Sequence, residues 1–254
     1  MTRKKKIFIA VIVLLAAVLA FSAHKLAGMY VEQKQIEKEY EDLRGLLSEE
    51  SENRQAENMT PQEKYASVWR ANNDFVGWIS IEDTPLDYPV VQTKDEPEYY
   101  LRRSFQKEYS YYGVPFMDYK CDVKTSDNLI IYGHNMTNKT MFSAVESYAD
   151  KEYWQEHRYI KFDTMDEYAT YEVVCSFRID VSNSDFYFNT YTTFYSESVF
   201  NEFMDNAKAL STYDTGVTAE YGDKLLTLST CEYSYEDGRY VVVAKKLETP
   251  VKPE

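Results

Sequence analysis

Two β-strands and the turn between them are predicted from the segment KLLTLSTCEYSYEDGRYVVVAKKL, which covers residues 224–247. Apolar residues alternate or run together in both halves, and an Asp-Gly turn signal lies between them. We expect the strands over 224–231 and 239–247. If they pair as a hairpin, Cys231 and Arg239 face each other at its open end, with β carbons about 5 Å apart.

The two faces of the first strand differ in polarity. Thr227, Ser229 and Cys231 share the more polar face, which we expect to border a surface or groove. A guanidinium beside the Cys231 thiol would favour the thiolate or stabilise an oxyanion formed by its attack. From spacing alone, an ordinary hairpin with a surface Arg239 is an equal alternative.

The three cysteines have different surroundings in the sequence. Cys175 lies on the apolar face of a strongly alternating segment, residues 171–181, and is expected to be buried. Cys121 lies in a polar stretch and is expected in a loop or at the surface. A Cys121–Cys175 disulfide is the open alternative. Three is an odd number, so at least one thiol is free or is paired outside the chain.

A thiol nucleophile usually needs a proton-transfer partner, and the chain has 3 histidines. His24 lies at the end of an apolar run near the N-terminus. His157 lies in a polar run and is expected on a solvated face. His134 follows an apolar strand and Gly133, a position typical of catalytic side chains, although a structural role is equally compatible with it.

Most of the remaining chain also has the periodicity of strands. A helix starting at the Thr60-Pro61 cap signal is expected to reach about residue 73, and another is expected over 197–210. Many short strands with few helices favour an antiparallel barrel or sandwich. Further strands are predicted at residues 78–81, 88–92, 113–118, 128–133 and 159–164.

The N-terminus has the pattern of a membrane anchor. Residues 1–6 are rich in Lys and Arg, and residues 7–23 are uncharged and apolar, at the short end for a spanning helix. This pattern predicts a cytoplasmic N-terminus with the following domain exported. A cleaved signal peptide is the alternative. Residues 24–59 are highly charged, and their helically spaced apolar residues predict a juxtamembrane stalk.

Composition favours a folded domain and argues against binding to nucleic acid. Hydrophobic residues make up 44% of the chain, including 24 Tyr and 13 Phe, which is enough for a packed core. The net charge is -14 although the first six residues contribute four positive charges, so the remainder carries -18. A surface this acidic repels phosphates, and no nucleic-acid partner is expected.

Two motifs resemble those of the sortase family of cysteine transpeptidases. LSTC at residues 228–231, followed by Arg239, is similar to the strand-end cysteine motif of that family and the arginine opening its next strand. IYGHNM at residues 131–136 is similar to its histidine segment.

Three further features look like the class B branch. FVGWISI at residues 75–81 and LDYPVVQ at residues 86–92 resemble the opening of its domain. The helix predicted over 197–210 stands where class B has a helix between the sixth and seventh strands. The motifs match in order and spacing over residues 61–247.

The resemblance implies a mostly β fold: an eight-stranded sortase-type barrel with flanking N-terminal helices. The expected organisation is a basic tail (1–6), a signal-anchor helix (7–23), a stalk (24–59), a catalytic domain (60–248) and a loose tail (249–254). The chain is then a single-pass membrane protein, with the catalytic domain outside the cell and facing the wall.

The resemblance also implies a reaction. Cys231 is the nucleophile, His134 the general acid, and Arg239 the residue that holds the substrate carbonyl or the oxyanion. Plausible substrate contacts are Ser229, Thr230 and Glu232. The expected substrates are exported proteins with a C-terminal sorting signal cleaved after Thr, and the acceptor is an amine of a peptidoglycan precursor or a pilin. No cofactor and no metal are expected.

Tyr233 stands where some class B members carry an acid, two residues after the cysteine. The resemblance therefore does not extend to an acidic residue that orients His134.

A hydrolytic cysteine protease would use the same Cys–His pair. An L,D-transpeptidase places its arginine two residues after the nucleophile, whereas Arg239 is eight residues on. A non-catalytic surface adhesin or scaffold is the alternative outside enzymes, but it has no need to bring Cys231, His134 and Arg239 together.

Overall fold

A closed barrel of eight strands forms the core of the protein in the computed structural model, which describes residues 2–53, 59–231 and 237–249. The strands are β1 (Phe75–Ser80), β2 (Asp87–Val91), β3 (Phe116–Met117), β4 (Asn128–Gly133), β5 (Tyr159–Thr164), β6 (Thr170–Asp180), β7 (Leu225–Cys231) and β8 (Gly238–Lys246). Around the barrel they follow the order β1-β2-β3-β4-β7-β8-β6-β5. The eight-stranded barrel expected from the resemblance is therefore confirmed.

The described residues also form α-helices. They are α1 (Arg3–Asn53), α2 (Pro61–Ala71), α3 (Ser143–Ser147), α4 (Lys151–Glu156) and α5 (Glu197–Leu210). The predicted helix between the sixth and seventh strands is confirmed by α5, which buries its apolar face against β6. The short helices α3 and α4 were not predicted, because five or six residues are too few to show helical periodicity.

The chain divides into two compact units, residues 1–42 and 43–254. A single helix, α1, covers both the predicted anchor and most of the predicted stalk. Its segment Arg3–Ser48 is long and apolar enough to cross a membrane, judged by length and composition. The second unit contains the whole barrel.

Most strands lie within a few residues of their predicted bounds, and the differences have local causes. β4 and β5 have the predicted bounds, whereas β3 is two residues long instead of six. Gly113, at the start of the predicted strand, has a φ of 61°, which is incompatible with extended structure. Residues 113–115 therefore approach the barrel as a loop.

The alternation predicted for β6 is confirmed at Cys175, Phe177 and Ile179, which are buried. Ser176 was expected on the polar face, and that expectation was wrong because Ser176 is fully buried. Its hydroxyl donates to the Tyr148 carbonyl at 2.8 Å and accepts from the Tyr240 hydroxyl at 3.0 Å. The face of β6 opposite Cys175 and Phe177 is thus covered by protein at this point.

Candidate active site

One pocket brings His134, Cys231 and Arg239 together. All three residues line a cavity of about 430 Å³. They reach it from the ends of three neighbouring strands, because β7 pairs in parallel with β4 on one side and antiparallel with β8 on the other. Strand ends hold side chains rigidly while leaving them accessible, which is what a catalytic group needs.

Cys231 and Arg239 are direct cross-strand partners, as the predicted hairpin requires. Such partners have β carbons about 5 Å apart, so the guanidinium can act on the neighbourhood of the thiol. Arg239 Nη1 donates to the Gly238 carbonyl at 2.9 Å, its one hydrogen bond among the described residues. The guanidinium has further N–H groups to offer to an oxygen in the pocket.

His134 follows the last residue of β4, and Gly133 is the parallel partner of Thr230. Its Nε2 lies 2.7 Å from the Leu101 carbonyl oxygen. A carbonyl oxygen only accepts, so Nε2 carries a proton and Nδ1 is the nitrogen that can exchange one. His157, in contrast, caps the end of α4 and is not among the residues that line the pocket.

The surroundings of His134 favour its neutral form. Burial lowers the pKa of His134 below its ordinary value of 6.5, the Leu101 carbonyl opposes this shift, and the charge of Arg102 adds to it. Because the neutral form is favoured, an imidazolium in this pocket is a stronger acid than a free one. That property suits a group that gives up a proton.

Close packing fixes the main chain around His134. A β carbon at Gly133 would lie closer than 3.0 Å to three ring carbons of Phe142, so only glycine fits there without movement. The Phe142 N–H donates to the His134 carbonyl at 2.9 Å. On the other side, a β carbon at Gly113 would lie 3.2 Å from His134 Cδ2.

Asn135 was not predicted as a functional residue. Its Nδ2 donates to the Cys231 carbonyl at 3.0 Å and to Glu146 Oε2 at 2.6 Å. In the sequence, only its position next to His134 pointed to a functional role. Its contacts with Cys231 and Glu146 depend on the tertiary fold.

The expected groove face of β7 needs a correction. Thr227 and Ser229 are buried rather than exposed at the surface, and of the two only Ser229 lines the pocket with Cys231. Thr227 satisfies its hydroxyl by donating to Asn128 Oδ1 at 2.8 Å. Only Cys231, at the strand end, is partly exposed.

The three proposed substrate contacts have different positions. Ser229 and Thr230 line the pocket. The Thr230 hydroxyl donates to the Gly133 carbonyl at 2.8 Å, which ties β7 to β4, whereas the buried Ser229 hydroxyl has no hydrogen-bond partner among the described residues. Glu232 lies outside the described residues, as does Tyr233.

The cysteines differ in reactivity as well as position. All three, each within the described part of the chain, are free thiols. Cys175 is buried as predicted, but the expectation of a surface or loop position for Cys121 was wrong in exposure. Its sulfur is fully buried and accepts the Ile130 N–H at 3.3 Å. Burial raises the pKa of Cys121 and of Cys175 to about 12, so both stay protonated at neutral pH.

The rest of the pocket wall is largely apolar and aromatic. It includes Leu101, Phe116, Tyr132, Tyr187 and Phe188. Such a wall with a few polar groups suits an extended peptide with mostly uncharged side chains. Within the described residues, no group of three His, Cys, Asp or Glu side chains is arranged to hold a metal ion.

Known proteins of one family are similar to this chain. The family model described as the sortase domain matches residues 79–247. Sortase B of Staphylococcus aureus is 32% identical over 246 residues, which are 96% of this chain and 98% of that protein. Sortase B of Listeria monocytogenes is 31% identical over 231 residues, 90% of this chain and 92% of that one. The solved Staphylococcus aureus sortase B–substrate complex matches with a TM-score of 0.78 and 30% identity, covering 87% of this chain and 100% of that chain.

Proposed function

The chain belongs to the sortase family, in its class B branch, and is a cysteine transpeptidase; from that premise we propose that it cleaves the C-terminal sorting signal of exported proteins after Thr and transfers the new carboxyl end to an amine. The observation that carries this proposal is the single pocket lined by His134, Cys231 and Arg239. A nucleophile, a proton donor and an oxyanion donor are the groups that acyl transfer needs.

In the first half-reaction, the Cys231 thiol gives its proton to His134 Nδ1, and its Sγ attacks the carbonyl carbon of the Thr. The carbonyl oxygen becomes an oxyanion, which Arg239 stabilises by charge-assisted hydrogen bonds. The C–N bond then breaks, and His134 Nδ1 gives its proton to the departing amine. The product is a thioester between Cys231 and the Thr carbonyl.

In the second half-reaction, an amine attacks the thioester carbon. His134 Nδ1 takes a proton from the attacking nitrogen, the C–S bond breaks, and the Cys231 thiolate leaves and takes up the proton from Nδ1. The new bond is an amide, so one peptide bond is exchanged for another. Water attacking the same thioester would give hydrolysis instead.

Substrate contacts are proposed along the wall beside the nucleophile. The unpartnered Ser229 hydroxyl supports its assignment, because a buried polar group without a partner gains most when a ligand supplies one. Thr230 and Glu232 flank Cys231 in the chain and are proposed as further contacts.

Membrane attachment is part of the proposal. Residues 7–23 would anchor the chain with residues 1–6 in the cytoplasm, and residues 60–248 would act at the outer face on acceptor amines of the cell wall or of a pilin. The long apolar helix near the N-terminus supports this arrangement. Alkaline carbonate should leave the full chain in the membrane fraction, whereas detergent should release it.

The catalytic proposal is tested with a library of octapeptides in which only the fourth residue is fixed, as Thr. Incubation with the full chain in detergent should give cleavage after Thr and a thioester adduct on Cys231, detected by mass spectrometry. Added amines, such as triglycine and Nα-acetyl-lysine, should appear in amide products.

Cys231→Ala should abolish cleavage and leave the fold intact. The matched control Cys175→Ala removes a buried thiol and should keep cleavage. Full activity in the Cys231 variant, or only hydrolysis with every amine tested, would reject the transpeptidase mechanism at this cysteine.

A further inference from the structure

We infer that Asn135, braced by Glu146, is a positioning residue that holds the main chain of the nucleophile at the correct distance from His134; the inference rests on the proposed function of Cys231 and His134. Asn135 is the residue after His134, and it contacts Cys231 through the carbonyl of the nucleophile rather than its thiol.

Both hydrogens of the Asn135 amide are used. One is donated to the Cys231 carbonyl at 3.0 Å and the other to the Glu146 carboxylate at 2.6 Å. Both partners are acceptors, so the amide nitrogen, not the amide oxygen, must lie between them. Asn135 is 6% exposed, and a buried donor pair satisfied in this way resists rotation.

The brace connects three parts of the site. Glu146 lies on α3, which packs against β7 and β8, and Cys231 and Arg239 are at the ends of those strands. The main chain at Asn135 is also held by a bridge to Met141. Consequently the segment that carries His134 is fastened directly to the last residue of β7.

This geometry predicts an effect on chemistry more than on binding. Asn135 does not line the pocket, whereas a small displacement of Cys231 relative to His134 disturbs attack and proton transfer. A misplacement of roughly 1 Å costs about 100-fold in rate. A purely structural role, in contrast, would lower stability and leave the rate per folded molecule unchanged.

The test compares isosteric variants of the full chain. Asn135→Asp replaces both donors by acceptors facing a carbonyl and a carboxylate. Thioester formation at saturating concentration of the best-cleaved library peptide should fall about 10- to 100-fold, with KM nearly unchanged. Asn138→Asp is the matched control: Asn138 is exposed and its Oδ1 only accepts, from Thr140, so the change should have no effect.

A second variant separates positioning from stability. In Asn135→Asp combined with Glu146→Gln, the new amide can donate to the new carboxylate, which restores the link to α3. The melting temperature should recover while thioester formation stays low, because an acceptor still faces the Cys231 carbonyl. Recovery of both would show a structural role only and overturn the inference.

A further readout needs no substrate. The dipeptide Cys-Glu occurs once in the chain, at residues 231–232, so ¹³C-carbonyl cysteine with ¹⁵N-glutamate isolates one NMR signal for the Cys231 carbonyl. Asn135→Asp and the double variant should both shift it upfield, and Asn138→Asp should not. An unshifted signal would overturn the inference. If the wild-type chain forms no thioester with any library peptide, the proposed function fails, but this signal still tests the contact itself.

Discussion

Arg239 can hold a substrate oxygen in a way that lysine cannot, because its planar guanidinium presents several N–H groups in a fixed fork. Its place opposite Cys231 makes that fork part of the proposed oxyanion site. We expect Arg239→Lys to lower peptide turnover by about 100-fold, although the charge is kept. Arg178→Lys, on the exposed side of β6, is the matched control and should retain wild-type turnover. Near-normal turnover of the Arg239 variant would remove this residue from the reaction.

The acidity of His134 is set partly by one neighbouring charge. Arg102 contributes to the lowered pKa of His134, so Arg102→Gln should raise that pKa toward 6.5, as measured by NMR titration of the imidazole. Arg103→Gln is a close control, because both arginines donate to a loop carbonyl and stack on a tyrosine ring. Equal pKa changes in the two variants would contradict the assignment.

The same shift has a consequence for stability. The folded-state pKa of His134 is lower than its unfolded value, so the unfolded chain binds the proton more readily. The contribution to stability is therefore present above pH 6.5 and is lost as the pH falls through the lowered pKa. Arg102→Gln should make that loss smaller, which urea unfolding at several pH values would show.

Single residues were predictable where strand alternation or a strand end marked them. Cys231, Arg239 and His134 fall in this class. The supporting residues Leu101, Asn135 and Glu146 do not, because their partners are distant in sequence and only the closed barrel brings them together. The polarity of Ser176 and Ser229 predicted exposure, whereas both side chains are buried, although Ser229 still lines the pocket.

The junction between β4 and α3 depends on a glycine that cannot be enlarged. In Gly133→Ala, the added β carbon meets the Phe142 ring, so the loop carrying His134 must move. We expect a loss of about 1–3 kcal/mol in unfolding free energy together with reduced peptide turnover.

Gly45→Ala provides the matched comparison, because a β carbon at Gly45 has open space around it in α1. Alanine is a better helix former by about 1 kcal/mol, so this variant should be at least as stable as the wild type. Urea unfolding and peptide cleavage measure both effects. Equal stability of the two variants would contradict the close fit at Gly133.

The start of α2 illustrates an element that local sequence specifies fully. The Thr60 hydroxyl accepts the Glu63 N–H at 3.3 Å, and Glu63 Oε2 accepts the Thr60 N–H at 3.0 Å. Thr60→Ala should lower the free energy of unfolding by about 1 kcal/mol, whereas Thr60→Ser keeps the cap and should change it little. Identical losses in both variants would mean that the cap is not the source.

Elements were predictable in proportion to their length and periodicity. β4, β5 and α5 carry clear patterns over at least six residues, and their predicted bounds agree with the structure. β3, α3 and α4 have two, five and six residues, which is too short for a periodic pattern to repeat clearly. For β3 and α3, contacts with other strands of the barrel add to what the local sequence specifies.

At the scale of the whole molecule, charge should influence which peptides arrive fastest. The chain carries a net charge of -14, so a library peptide flanked by three lysines should have a higher kcat/KM at low salt than the same core flanked by three aspartates. Screening shortens the electrostatic range from about 10 Å at 0.1 M salt to about 3 Å at 1 M. The ratio should therefore approach one at 1 M salt. A ratio independent of salt would assign the preference to contacts in the pocket.

The parallel pairing of β4 with β7 also affects how long the cysteine thiols stay exposed during folding. Between these two strands the chain forms β5, β6 and α3 to α5. The two strands can therefore pair only after this long intervening segment has been brought together. Pairings this distant in sequence make folding slow. Until the barrel closes, Cys121 and Cys175 are as open to oxidants as Cys231, and a disulfide formed then would block closure. In an oxidising medium, the yield of active protein therefore depends on whether the barrel closes faster than its thiols are oxidised.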